Sequence, residues 1–458
     1  MPIQPTTLVI DGLGSWTRNS YRSAVLSLDS DSDIKSPVSV WYVDGGDHPV
    51  EPDWRSEQWH GRDLLDGSNS WITENYAESG SEKWAGLNAD AVFIVTPDYA
   101  HMRTAESYAG TVGPSARAAS ILVEKPFAEN PTDAHAFRAA VQSLGDGRPQ
   151  VQGLDHYALQ LWVLEQLCPD GLLEEIGPIT LVEFFMLERK PTDSDRLQTL
   201  HGGLTRDMGS HLLGLSAPYF DLASMSDVKA LCGAKHSGLE SFGAETCSLL
   251  SFTIERIGSA GSVPCVSVVG KGIGSDVKFL DLHGTEGRFV RLDFTRFEES
   301  TDYPFRHAIL GSWTHDLESS DIVRDPYRSL IDQNPTSMRE KLYRKGGSPY
   351  FQVHRHVPVM ENPYFDLMKA IVNRTASPSL ISHDDCESIV DALELWSGKI
   401  QEFPKLFQKL RSDRGCRAFS GWPIHDTFVP PEALTANGPR VYRIPGEGPG
   451  DLLVGSRP

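Results

Sequence analysis

Along the first third of the chain, short apolar runs alternate with helical patterns, the signature of a doubly wound parallel sheet. TTLVID (6–11), VSVWYVD (38–44), ADAVFIV (89–95) and ASILVEK (119–125) read as buried strands. A helix is expected near Asn19–Leu28, and helical patterns follow the last two runs. The stretch from Gly45 to Leu87 is long and polar, and its Trp54, Trp59, Trp71 and Trp84 read as anchors of an elaborated loop and helix layer. From Val151 the pattern changes. A strand VQGLDHY, a helix around Ala158–Leu167, a strand ITLVEFFML (179–187) and a helix from near Leu204 come first. VKALCGA, CSLLSFTIE, VPCVSVVG, VKFLDLHG and RFVRLDF follow, and their turn residues predict a meandering, largely antiparallel sheet. Helices return at Tyr364–Asn373 and Asp384–Lys399, and the end from about Ser412 is rich in Gly and Pro.

At 458 residues the chain is long enough for two domains or more. A formal charge of −20 argues against nucleic acid, which binds basic surfaces, and against anionic membranes. No apolar stretch approaches the ~20 residues that span a bilayer. The six cysteines form no CxxC or Cys/His metal spacing, so no metal site is expected. With no signal peptide evident, this usage fits a reduced, cytoplasmic enzyme.

Gly12-Leu13-Gly14-Ser15-Trp16-Thr17 follows the first strand and precedes a helix, which suits a turn whose backbone approaches a pyrophosphate. Thr17 stands where a third glycine is usual. Asp44 ends the second strand, where a carboxylate can accept from adenosine ribose hydroxyls or simply close a turn before Gly45-Gly46. It lies beyond the usual ~20 residues from the glycine turn, and the polar insert 29–36 accounts for the excess. Thr96, Pro97 and His101 follow ADAVFIV at the same sheet edge; His101 either touches a cofactor or caps the next helix. Glu124 and Lys125 close ASILVEK, and Pro131 and Asp133 suit the first turn of a following helix. A lysine at that edge either steers a ligand or is a solvated loop charge.

In the second region Asp207 and His211 are four residues apart, so on a helix they share one face. A carboxylate beside an imidazole suits a general base for an alcohol proton, against the alternative of a surface ion pair. Asp155-His156-Tyr157 closes a strand and can read sugar hydroxyls or a phosphate, although no basic residue follows to clamp the latter. P-loop, GxSxG and zinc spacings are absent from the sequence.

In order, the landmarks are the glycine turn at 12–17, the acid at 44, VFIVTPDYAH (92–101), VEKPFAENPTDA (123–134), GGLTRDMGSH (202–211), LHGTEGRFVRLD (282–293) and PYFDLMKAIVNRTASPSLIS (363–382). Over roughly residues 6–400 they resemble the glucose–fructose oxidoreductase/inositol dehydrogenase/MocA family. The resemblance implies an α/β protein with a Rossmann domain (1–150), an α/β domain with a large, mostly antiparallel open sheet (151–410), and an extension (411–458). It implies a homodimer or homotetramer, with Lys125 beside the nicotinamide and the substrate and Asp207 and His211 as the catalytic pair. Gly12, Gly14, Ser15, Trp16, Asp44, Thr96, Pro97, His101, Glu124 and Lys125 are expected at the cofactor. Asp155, His156, Tyr157 and Arg206 are expected at a sugar or cyclitol substrate. NAD is expected over NADP, because Asp44 repels a 2′-phosphate and no arginine follows it closely.

LDHY (154–157) and TRDMGSHLLGL (205–215) also look like segments of glucose-6-phosphate dehydrogenases, leaving sugar-phosphate oxidation as an alternative. Elimination or hydrolysis through a keto intermediate with retained NAD is a second. A dinucleotide-binding sensor without chemistry is a third.

Overall fold

The computed structural model describes residues 5–14, 16–44, 65, 71–111, 116–188, 203–234, 247–258, 261–271, 277–294, 306–314, 350–359, 362–375 and 380–401. The chain divides into two compact units, Met1–Gln160 with Glu361–Asp391, and Leu161–Met360 with Ala392–Pro458.

The first unit is built on strands β1 (Thr6–Asp11), β2 (Val38–Asp44), β3 (Ile72–Glu78), β4 (Asn88–Ile94), β5 (Arg117–Glu124) and β6 (Gln150–Leu154). They lie in the order β3-β2-β1-β4-β5-β6, all parallel. That is the order of dinucleotide-binding sheets, whose strand sequence reverses between β1 and β4. A two-residue strand, Ile381–Ser382, pairs antiparallel with β6 and completes a seven-stranded sheet among the described residues. Leu8, Val9, Ile10, Val92, Phe93, Ile94, Ile121 and Val123 are fully buried, as expected of parallel strands covered on both faces.

The helices of this unit are α1 (Arg22–Asp29), α2 (Glu82–Ala85), α3 (Asp98–Ala109) and α4 (Pro131–Ser143). Asn130 caps α4 by accepting from the Asp133 backbone N–H at 3.0 Å, with Pro131 in the first turn. Strand β3 lies inside the stretch read as polar loop. ITENYAE hides its strand character because Glu74 is buried, its carboxylate taking hydrogen bonds from Arg22 and Tyr42. Trp84 is buried and donates to the Tyr108 hydroxyl at 3.0 Å, Trp71 is exposed, and Trp54 and Trp59 lie outside the described residues.

In the second unit, α5 (Trp162–Leu167), α6 (Leu172–Ile176) and α7 (Gly203–Ser216) accompany a sheet of eight strands among the described residues. Its strands are β7 (Leu181–Glu188), β8 (Phe220–Ala234), β9 (Cys247–Arg256), β10 (Ser262–Lys271), β11 (Val277–His283), β12 (Arg288–Asp293), β13 (Arg306–Thr314) and β14 (Tyr350–Val359). The order is β14-β13-β12-β11-β7-β10-β9-β8, antiparallel except where β10 meets β7. The β11–β12 turn carries GTEG for a packing reason. A Cβ on Gly284 would strike the Ile176 carbonyl at the end of α6.

Among the described residues the two remaining α-helices are α8 (Pro363–Asn373) and α9 (His383–Gln401). Expected in a contiguous second domain, α8 instead belongs to the first unit. Its Tyr364, Leu367 and Met368 are fully buried in one cluster with Leu8, Ile10, Tyr21 and Phe93. Residues 383–391 of α9 join the same unit through Glu387 and Asp384, which pair with Arg138 of α4.

Candidate functional site

At the carboxyl end of β1 the chain turns at Gly12 with φ +109°, a conformation that L side chains rarely adopt. A Cβ there would lie 2.6 Å from the Thr96 backbone N. The turn is tied on both sides, Gly12 N–H to Val43 O at 2.9 Å and Val95 N–H to Asp11 O at 2.7 Å. Gly14 has nothing within 4 Å of where its Cβ would stand, so its backbone is open to approach. Thr17, in the third glycine position, is buried and donates its hydroxyl to the Gly12 carbonyl, which holds the turn closed.

Across from Gly12, the Thr96 hydroxyl oxygen is buried and has no hydrogen-bond partner in the structure. A shaped turn, an open glycine and an orphaned hydroxyl at the point of strand-order reversal fit a dinucleotide. Asp44 stands opposite Glu78 in the β2–β3 register, so two acids end neighbouring strands. Pro97 precedes the first turn of α3, and Ser15 lies outside the described residues.

His101, expected at the cofactor, is turned inward and is 1% exposed. Its Nδ1 lies 2.9 Å from the Pro126 carbonyl and its Nε2 2.6 Å from the Thr96 carbonyl, so both ring nitrogens are engaged within the protein. Burial pushes its pKa below the ordinary value, partly offset by those carbonyls. His101 therefore ties the loop after β4 to the loop after β5. It is neither an open ligand nor a simple helix cap.

Glu124, at the end of β5, is 6% exposed. Its Oε1 accepts from the Tyr21 hydroxyl at 2.6 Å, from the Tyr364 hydroxyl and from the Trp16 indole N–H at 3.3 Å. Burial raises its pKa, and the two tyrosine hydroxyls work against that rise. Its Oε1 faces inward, toward these three donors. Lys125 follows, half-buried, joined to a buried Pro126 by a cis peptide.

Asp155 is buried, and its Oδ1 accepts from the backbone N–H groups of Tyr157 at 2.7 Å and Ala158 at 3.0 Å. That oxygen caps the short turn at 158–160. The His156 ring lies 4.0 Å from Tyr157 and 5.0 Å from Trp16, centroid to centroid. Tyr157 itself is buried.

In the second unit Asp207 and His211 sit on α7, every residue of which is buried. The surface ion-pair alternative is thereby excluded. The Asp207 carbonyl accepts from the Ser210 hydroxyl at 2.8 Å, and Thr205 pairs with Ser248 of β9 at 2.6 Å. Gly209 lets α7 pack closely, because a Cβ there would lie 2.7 Å from the Trp396 ring of α9. Arg206, expected at substrate, is buried with its guanidinium 3.5 Å from Glu394 of α9. That pairing makes it a helix-to-helix tie.

Sequence reasoning missed Tyr21 and Tyr364. The signal for Tyr364 was the Asn362-Pro363-Tyr364 start of α8, where Asn362 caps the helix and donates to the Ser20 carbonyl at 2.9 Å.

No protein-family profile and no curated protein matches the chain. Solved structures do. An aldose-aldose oxidoreductase from Caulobacter crescentus, complexed with glycerol, shares 15% identity at a TM-score of 0.55, over 87% of this chain and 98% of that one. A putative NADPH-dependent oxidoreductase from Desulfitobacterium hafniense shares 13% at 0.54, over 87% and 96%. KijD10, a 3-ketoreductase from Actinomadura kijaniata in complex with NADP and TDP-benzene, shares 11% at 0.52, over 85% and 96%. The chain shares the fold of these oxidoreductase structures.

Proposed function

We propose that the protein is a nicotinamide-dinucleotide-dependent oxidoreductase that interconverts a secondary alcohol or hemiacetal and a carbonyl on a sugar, cyclitol or sugar derivative. The observation that carries this reading is the strand-order reversal at β1 and β4, furnished with the Gly12 turn, the open Gly14 and the free Thr96 hydroxyl. The likeness to an aldose-aldose oxidoreductase and a 3-ketoreductase supports the substrate class.

A bound dinucleotide supplies the hydride acceptor or donor. In the proposed chemistry His211 takes or returns the hydroxyl proton, and Asp207 orients its imidazole. Lys125 holds the substrate oxygen as its charge changes. A sugar phosphate is disfavoured, because Arg206 is paired with Glu394 and Ala158-Leu159-Gln160 follow Tyr157.

Asp44 and Glu78, paired at the strand ends, argue for NAD, whereas the similar structures that name a cofactor name NADP or NADPH. Calorimetric titration with both dinucleotides, followed by a polyol and aldose panel read by nicotinamide absorbance, tests the proposal. His211→Ala should retain dinucleotide binding and lose about 10²–10⁴-fold in turnover. Full turnover by that variant removes His211 as the acid/base.

A further inference from the structure

Trp16 combines two properties that rarely meet. It is 40% exposed, yet its only polar side-chain atom points inward, Nε1 donating to the Tyr364 hydroxyl at 3.1 Å and to Glu124 at 3.3 Å. What the indole presents to solvent is therefore hydrocarbon, immediately after the glycine turn. An apolar ring fixed in orientation is a stacking surface whose ordering cost is met before a ligand arrives.

The clamp that fixes it is supplied from far along the chain. Tyr364 is fully buried, stands edge-on to Trp16 with ring centroids 6.2 Å apart, and lies 4.2 Å from the Tyr21 ring. Its single hydroxyl donates to Glu124 and accepts from Trp16, so it joins the buried acid to the exposed indole. The tyrosine is itself held at the N-terminus of α8, where its backbone N–H donates to Asn362 at 3.0 Å. Glu124 closes the arrangement as the common acceptor, one residue before Lys125.

We propose that Trp16 is a stacking wall for the nicotinamide ring of the dinucleotide, and that Tyr364 is the positioning residue that sets its orientation. This rests on the dinucleotide reading given above. Tyr364 touches neither ligand nor reacting atoms in this scheme and acts through Trp16. Tyr21 shares Glu124, to which its hydroxyl donates, and packs against the Tyr364 ring.

The test is calorimetric titration of the full chain and its variants with NADH and NADPH, and with the matching fragment that lacks nicotinamide, ADP-ribose or its 2′-phosphate. Trp16→Leu and Tyr364→Phe should each weaken dinucleotide binding about three- to tenfold, the range expected for one well-placed aromatic contact, while fragment affinity is unchanged. Tyr364→Phe in the Trp16→Leu background should add nothing further, because its effect passes through the indole. Trp16 is partly exposed, so its leucine variant folds even if the buried tyrosine position proves sensitive. Equal losses for dinucleotide and fragment, no loss for either, or full additivity of the two substitutions would each overturn the proposal. Wild-type protein that binds neither dinucleotide nor fragment would instead defeat the underlying reading, a result distinct from the others.

Discussion

Two buried acid networks, one in each unit, solve the same problem differently. In the second unit Glu183 of β7, Asp281 of β11 and Arg291 of β12 stand opposite one another across three strands. Arg291 holds both oxygens of Asp281 in a bidentate pair, and His283 meets Glu183. In the first unit Glu124 gathers three neutral donors on one oxygen and ends at an exposed indole. The first arrangement neutralises charge inside a sheet. The second leaves a carboxylate held by neutral donors, with the charge of Lys125 next to it in sequence. The difference separates a network that fixes strand register from one that orients a surface.

The largest break is expected from Arg291→Ala. It leaves Asp281 buried without its cation and should cost about 3–5 kcal/mol, read as a shifted denaturation midpoint. Tyr364→Phe removes one of three donors to Glu124 and should cost roughly 1–2 kcal/mol in the same measurement. A loss as large as that of Arg291→Ala would show that the two networks do not differ. Replacing Asp281 and Arg291 together by Leu and Met should fall within about 1 kcal/mol of wild type, since paired apolar groups of similar volume substitute well for a buried ion pair. The smallest effect is on the pH profile of stability. Because the folded state raises the Glu124 pKa, it binds the proton more tightly than the unfolded chain does. The contribution of Glu124 is thus most favourable below the ordinary glutamate pKa and is lost as pH rises through the raised folded value. Glu124→Gln should flatten that decline, as followed by urea midpoints across the pH range. An unchanged slope would remove Glu124 as its source.

What was legible in the sequence follows from where each signal resides. β1, β2, β4, β5 and β6 could be read because central parallel strands are buried on both faces and become unbroken apolar runs. Helix α7 was visible for a similar reason, with Asp207 and His211 set in an apolar context. Strand β3 escaped because Glu74 interrupts its pattern, and its partners, Arg22, Tyr42 and the Leu65 backbone N–H, become visible only in the fold. β13 and β14 escaped too, since RHAILGSWT and YFQVHRHVPV mix polar residues into their runs. At the candidate site, the Gly12 turn was legible from local chemistry. Tyr364 was not, because its meaning depends on a hydrogen bond to Glu124 across 240 residues of chain. His101 shows the converse. Its position suggested a ligand, while the Pro126 and Thr96 carbonyls engage both of its ring nitrogens.

The placement of α8 bears on how this chain is made. As a ribosome releases it, the stretch up to Gln160 contains all six parallel strands yet lacks Tyr364, Leu367 and Met368, which fill its core. That unit stays incomplete until residues 361–391 have been translated. A fragment cut after Gln160 should therefore be a poor dinucleotide binder, and a fusion that links residues 361–391 directly behind residue 160 should be a good one.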